Sequence, residues 1–339
     1  MSSWLFELRR DAITGWWVAT VVDRAVQRER FARAAVPVDD GGDCQNCRAA
    51  SGRVQRRLLR GAAFRVVGTE DEARRGSPPG ASRRGGAAGA GGEREADPVG
   101  SWETIIAPAG EHRPLHAVGS ALIVDLLDAC REAVASARAA GRTAYLQVVQ
   151  NWGAQAGART NHLCLDLYDL PQIPHRVAEE LGGAARYLIR EGECAFCRLI
   201  REEARHGERL VWADDHSVAF APYASRSPFE VWIVPRRHRA DFGSAQPDDL
   251  RSSAEALRQV LGRLAILDGP PYNLVLHTAP LREDVETTYH WHWEVHPRLR
   301  EIAGLELGSG LPVNPVAPED AVEELLARRQ EATVGGSDG

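Results

Sequence analysis

One pattern is written twice along this chain, and it limits the fold more than any other feature. The first half carries Cys44-Gln45-Asn46-Cys47, then His112, then the alternating run His162-Leu163-Cys164-Leu165-Asp166. The second half carries Cys194-Ala195-Phe196-Cys197, then His238, then His290-Trp291-His292-Trp293-Glu294. The middle His precedes its run by 50 residues in the first copy and 52 in the second, whereas the second Cys precedes that His by 65 and 41. The excess falls on Gly76 to Pro98, a Gly, Ala, Pro and Arg-rich stretch without apolar periodicity. Such a stretch cannot bury enough surface to offset its ordering entropy, so it reads as a mobile insert. Matching order and spacing imply a duplicated unit with a metal-ligand set in each copy, divided into residues 1–175 and 176–339.

Composition narrows the partners. The 339 residues are 44% hydrophobic and 26% charged, with a formal net charge of −6. A globular protein with that balance gives no electrostatic case for nucleic acid or an anionic membrane. All 41 Lys-plus-Arg positions are Arg. No Lys is therefore present to act as nucleophile or Schiff base, and phosphate contacts fall to Arg, His or backbone. The sequence shows no 18-residue apolar run and no signal-peptide pattern at Met1 to Glu7, so a cytoplasmic protein is expected. Of six Cys, four stand in CxxC pairs, which in that compartment read as metal ligands rather than disulfides.

Local patterns give an α+β plan in both copies: strands at 102–108, 143–150 and 161–168 with a helix at 117–140, then strands at 210–213, 217–221, 229–234, 273–278 and 288–296 with a helix at 247–267. A connecting helix is expected over 176–190 and a last helix over 319–329, ahead of a disordered end. Each copy is then an antiparallel sheet covered by one main helix. Alternate side chains of a strand face opposite ways. His162, Cys164 and Asp166 therefore share a face, with Leu163, Leu165 and Leu167 behind them; His290, His292 and Glu294 share the other, with Trp291, Trp293 and Val295 behind. Cys44, Cys47, His112 and His162 make a Cys₂His₂ zinc set, and Cys194, Cys197, His238 and His290 the matching one.

These residues resemble the galactose-1-phosphate uridylyltransferases of the histidine-triad superfamily. The resemblance runs through Glu7 to Trp17 (ELRRDAITGWW), the CxxC, Glu111-His112, Asn151 to Ala158 (NWGAQAGA), Phe229 to His238 (FEVWIVPRRH), Pro271 to Pro280 (PYNLVLHTAP) and Tyr289 to Arg298 (YHWHWEVHPR). It implies two tandem histidine-triad-like domains, usually a homodimer, with zinc in the first half. It also implies exchange of a nucleoside monophosphate between a nucleotide sugar and a sugar 1-phosphate through a covalent nucleotidyl-histidine. Asn151, Gly157 and Arg159 fall where that family meets the nucleotide phosphates, Arg159 replacing a Ser. The family motif His-x-His-x-Gln appears here as His162-Leu163-Cys164-Leu165-Asp166, so the nucleophile has become Cys and the Gln has become Asp. The family's nucleotide-contacting Asn segment is not recognisable around Phe64 to Glu72.

Two catalytic assignments follow from the resemblance. Cys164, with a thiolate favoured by zinc and Arg159 and with Asp166 beside it, replaces the lost His; or His292 in the second copy carries the chemistry. The second copy also admits a different metal set, Glu203, His277, His290 and His292, resembling the family's second-half ligands. An Asp against a phosphate repels it unless Arg159 or a metal compensates. Two alternatives stand beside nucleotidyl transfer: the scaffold recruited to another zinc, Cys and His reaction on a phosphorylated or nucleotide-linked substrate, and a non-catalytic nucleotide-binding protein. His216 and His296, at strand ends, read as solvated.

Overall fold

The computed structural model describes residues 6–22, 31–38, 44–58, 67–68, 94–95 and 100–334. Its strands are β1 (Phe6–Arg10), β2 (Trp17–Val21), β3 (Gln55–Leu58), β4 (Val67–Gly68), β5 (Arg94–Glu95), β6 (Trp102–Ile106), β7 (Tyr145–Trp152), β8 (Cys164–Leu170), β9 (Leu210–Ala213), β10 (Ser217–Phe220), β11 (Val231–Pro235), β12 (Tyr272–His277), β13 (His292–Pro297) and β14 (Val313–Asn314). Its α-helices are α1 (Gln45–Ala49), α2 (Ser120–Ala140), α3 (His175–Glu191), α4 (Ala195–His206), α5 (Pro247–Leu264), α6 (Gly304–Ser309) and α7 (Pro318–Val334). Of the insert expected at 76–98, only Arg94–Glu95 is described, where it pairs with Val67–Gly68; the rest of that expectation and the end at 335–339 lie outside the described residues.

The architecture is α+β, as the patterning predicts, but the two copies do not keep separate sheets. Nine strands form one sheet in the order β3-β6-β8-β7-β12-β13-β11-β10-β9, and every neighbouring pair runs antiparallel. The copies meet where β7 pairs with β12, and Val149 lies opposite Val275. Val149 is also opposite Asp166, and Val275 opposite Glu294. The same register thus runs outward from that central pair in both directions, which makes it a local two-fold. Applied to the flanking residues, it matches Cys164 with His292, Asn151 with His277, and Thr104 with Trp232.

One face of the sheet carries the main core. Leu163, Leu165, Leu167, Trp291, Trp293 and Val295 all point there and are buried, against apolar residues of α2 and α5. The alternation read from the sequence therefore sets which face of β8 and β13 is apolar. On the other face the second copy has its own apolar layer. Ala184 of α3 and Ala195, Phe196 and Ile200 of α4 pack with Val218, Phe220, Trp232, Val234 and Tyr289. Two glycines permit close approaches that hold this arrangement. A Cβ on Gly183 of α3 would lie 1.8 Å from the Ile13 carbonyl oxygen, so the N-terminal hairpin packs directly on the helix backbone. Gly153 has φ +83°, and its Cβ would meet Ala35 and Pro271 at 3.0 Å, where residues 33–38 cross the sheet end.

Candidate functional site

Both Cys₂His₂ sets expected from the spacing come together. In the first copy Cys47 Sγ lies 3.0 Å from His112 Nε2 and 3.3 Å from His162 Nδ1, and Cys44 Sγ lies 3.9 Å from His162 Nδ1. In the second, Cys197 Sγ lies 3.3 Å from His238 Nδ1 and 3.7 Å from His290 Nδ1. Ligand bonds of about 2.0–2.3 Å in a tetrahedron place N and S roughly 3.5 Å apart, so both sets fit one metal ion each. The supporting bonds agree as well. His162 Nε2–H donates to the Ala107 carbonyl at 2.9 Å and His290 Nε2–H to the Pro235 carbonyl at 2.8 Å, leaving Nδ1 as the ligand atom in each copy. Burial lowers the pKa of both imidazoles, which keeps them neutral and able to ligate. The hydrogen bond from Cys197, with others from His238 and His290, lowers Cys194 toward the thiolate. In each copy the first Cys is the N-cap of a helix, α1 or α4, where backbone N–H groups favour a thiolate.

The alternative second-half set is not assembled. Glu203 is held by Arg209 at 2.7 Å, and His290 belongs with the cysteines. Glu180 of α3 takes the place assigned to Glu203, and it gathers with His277, His292 and Glu294 so that their ligand atoms all lie within 4.8 Å. This group is completely buried. Glu180 Oε2 accepts His277 Nδ1–H and the Tyr289 hydroxyl, each at 2.8 Å. Glu294 accepts Arg176 at 3.0 Å and Arg226 at 2.9 Å. Burial opposes ionisation of both carboxylates, but His277 and Arg176 hold Glu180 down to about 2, and Arg176 and Arg226 hold Glu294 well below the usual range. His292 donates Nδ1–H to the His290 carbonyl at 3.0 Å. Its Nε2 ends 3.8 Å from Glu294 Oε1 with no hydrogen-bond partner among the described residues, an orphaned lone pair that fits a cation. His296, expected to be solvated, instead donates to Glu294 at 2.9 Å because β13 turns it toward that carboxylate. Glu180 escaped the sequence reading because it sits on a helix taken for a connector. The available signal was a Glu at the i+3 position of the apolar stripe Val177 to Ala184.

The corresponding face of the first copy is different. Where Trp232 stacks on His292 with ring centroids 5.0 Å apart, the matched Thr104 sits beside Asp166. Asp166 Oδ1 receives Arg159 Nη2 at 2.7 Å, and the Arg159 guanidinium lies 4.3 Å from the centroid of Trp102, itself packed on Tyr168. The Arg159 side chain is 42% exposed. The compensation an Asp needs beside a phosphate is therefore present. Burial, with the charge of Asp166 next, pushes the Cys164 thiol up to about 12, and Arg159 pulls it the other way. Asn151 lies at the seam between copies, where its Oδ1 accepts Asn273 Nδ2–H at 2.7 Å. Gly157 is exposed at φ +80° in the turn after β7. Gln147, Val149, Asn151, Asn273 and Val275 are each only half-buried, so the seam is a partly accessible floor beside the half-buried Cys164 and the buried Asp166.

Two Cys/His clusters and two acid-tipped strands on one shared antiparallel sheet define a duplicated α+β class. No family model matches the chain. It is 34% identical over 184 residues to ADP-glucose phosphorylase of Arabidopsis thaliana (53% of this chain, 51% of the relative) and 28% identical over 190 residues to galactose-1-phosphate uridylyltransferase of Thermotoga maritima (53% and 59%). The chain thus spans about half the length of the curated relatives it matches. The crystal structure of an ADP-glucose phosphorylase from Arabidopsis thaliana with bound ADP-glucose aligns at TM-score 0.72 and 25% identity, covering 95% of this chain and 98% of that one. The chain is thus similar to galactose-1-phosphate uridylyltransferases and to an ADP-glucose phosphorylase, in sequence over about half its length and in fold over nearly all of it. Among the described residues no helix is long and apolar enough to cross a membrane.

Proposed function

We propose that this protein transfers a nucleoside monophosphate, or a related phosphoryl group, to or from a sugar 1-phosphate or similar metabolite, with a nucleotide sugar as donor. The observation that carries this reading is the Arg159–Asp166 pair on the partly accessible floor of the first copy, with Asn151 beside it. A guanidinium has several N–H donors in one plane, so Arg159 can engage a phosphate oxygen without leaving the carboxylate. Trp102 holds that guanidinium in place through its ring face. Asn151 and the backbone around Gly157 border the same floor and would meet the phosphates. The relative that binds ADP-glucose in its crystal structure supports the donor class.

Zinc is the metal that Cys₂His₂ donors select, and the two sets would hold one ion each. Its contribution is structural: it fixes β8 and β13 against the CxxC helices and so aims the acid-tipped runs. A homodimer, a cytoplasmic location and a division into units 1–175 and 176–339 belong to the same proposal, and the repeated Cys and His pattern supports the division.

The test is direct. Turnover and calorimetric binding are measured with ADP-glucose, UDP-glucose and UDP-galactose, each with a sugar 1-phosphate or phosphate as acceptor. At least one donor should react, and Arg159→Gln should weaken it about tenfold or more. A donor that binds without turnover favours the non-catalytic reading, to which the loss of a free His from the first-copy motif also points. No binding by any donor removes both.

A further inference from the structure

The sheet face of the first copy beside the seam holds an arginine, a carboxylate and a thiol, and among its described residues no imidazole is free of a partner. His162 is engaged at both nitrogens, by Cys47 Sγ at 3.3 Å and by the Ala107 carbonyl at 2.9 Å. His112 is drawn to the same sulfur. The second copy's imidazoles on this face are held elsewhere: His277 by Glu180 at 2.8 Å and His296 by Glu294 at 2.9 Å, while His292 is fully buried against Phe196 and Trp232. Cys164 offers a thiol, a competing nucleophile that the stereochemical test below separates from a direct step. What remains is Asp166. Arg159 occupies its Oδ1, and Oδ2 has no hydrogen bond among the described residues.

We infer that the first-copy cleft transfers its group in a single in-line step, with Asp166 as general base, Arg159 as phosphate holder and no covalent enzyme intermediate. This rests on the nucleotidyl-transfer reading above. An acceptor O–H, from water or hydrogen phosphate, donates to Asp166 Oδ2. The acceptor oxygen attacks the α-phosphorus of the nucleotide sugar. That O–P bond forms as the bond from the α-phosphorus to the bridging oxygen breaks, and its electron pair leaves on the sugar 1-phosphate. The acceptor proton passes to Asp166 and from there to solvent. Arg159 keeps one N–H on the carboxylate and turns others to the phosphate, so the base and the anion share one counter-charge. A one-step path inverts configuration at phosphorus; a two-step path through an enzyme adduct retains it.

Stereochemistry decides between them. The full chain, with its metal content verified, is given α-phosphorothioate nucleotide sugars of defined configuration with phosphate as acceptor, and ³¹P NMR reads the product diphosphate. Inversion is expected, and Asp166→Asn should lower kcat by about 100-fold or more with KM changed only a few-fold. The folding of that variant is controlled by its metal content and melting temperature. Retention of configuration, or a nucleotidyl mass gain on the intact protein that vanishes in Cys164→Ala, overturns the single step while leaving nucleotidyl transfer standing. Absence of turnover with every donor overturns both.

Discussion

The two acid-tipped strands share one sheet and one register, yet one has been sealed and the other left open. Around Glu294 lie Arg176, Arg226, His277 and His296, roofed by α3 and α4, and His292 has no exposed surface. Asp166 is itself buried, but among the described residues its one ion-pair partner is Arg159, and that partner reaches solvent. The difference traces to few residues. The second copy puts Phe196 inside its CxxC and Trp232 at the position of Thr104, and both rings lie on His292. In the first copy the matching residues are Asn46 and Thr104, which supply no such roof. Several enclosed partners turn Glu294 into a structural anchor; a single, solvent-reaching partner leaves the Asp166 side a place where a ligand can compete.

If this contrast is right, removing a metal ligand should hurt the second copy most. Cys197→Ser should lose one zinc equivalent and roughly 4 kcal/mol of stability, because its site lies against the buried Phe196 and Tyr289 layer. Cys47→Ser, in a site with an exposed His112, should lose one zinc with a smaller fall in melting temperature. Metal analysis and thermal unfolding of the two variants check this; equal falls would break the comparison.

The paired carboxylates sharpen it further. Glu294→Gln should destabilise by about 3–5 kcal/mol, since it removes a buried carboxylate that two half-buried arginines and two histidines pair with. Asp166→Asn should stay within ~1 kcal/mol, its partner being exposed, and should act on turnover instead. Denaturant titration of both variants gives the answer.

How much of this was legible in the sequence follows from the kind of interaction involved. The Cys₂His₂ clusters were, because ligand identity and spacing are local and were stated twice. So were the buried faces of β8 and β13, since period-two alternation needs no partner to be recognised. The joining of the two copies was not: β7–β12 pairing is a contact between residues more than a hundred apart, and Val149 and Val275 carry no mark of it. Glu180 and Arg226 were missed for a related reason. Their role comes from partners on strands far along the chain, His277 for Glu180 and Glu294 for Arg226, and a charge gives no sign of such pairing on its own. Cys164 shows the converse, a residue correctly placed whose chemistry depends on desolvation that a sequence does not report.

The smallest effect concerns the helix pair beneath the sheet. Glu255 of α5 accepts Ser120 of α2 at 2.9 Å, and its hydrogen bond with Arg258 is the main reason its carboxyl is held down to about 2. A lowered carboxylate stabilises the fold above its ordinary value near 4.5, and that contribution is lost as pH falls toward about 2. The side chain is a third exposed and solvent screens its ion pair, so Glu255→Gln should cost only about 0.5 kcal/mol at neutral pH, and nothing at the acid limit. Melting curves of wild type and variant across that pH range should converge.

The central claim is that the first copy is the working cleft and the second its sealed counterpart. Hydrogen–deuterium exchange with and without the nucleotide sugar that binds best tests it most directly. Peptides spanning 145–170 should gain protection on binding, while those spanning 290–297, already buried, should not change. Protection confined to 290–297, with 145–170 unaffected, would contradict the account.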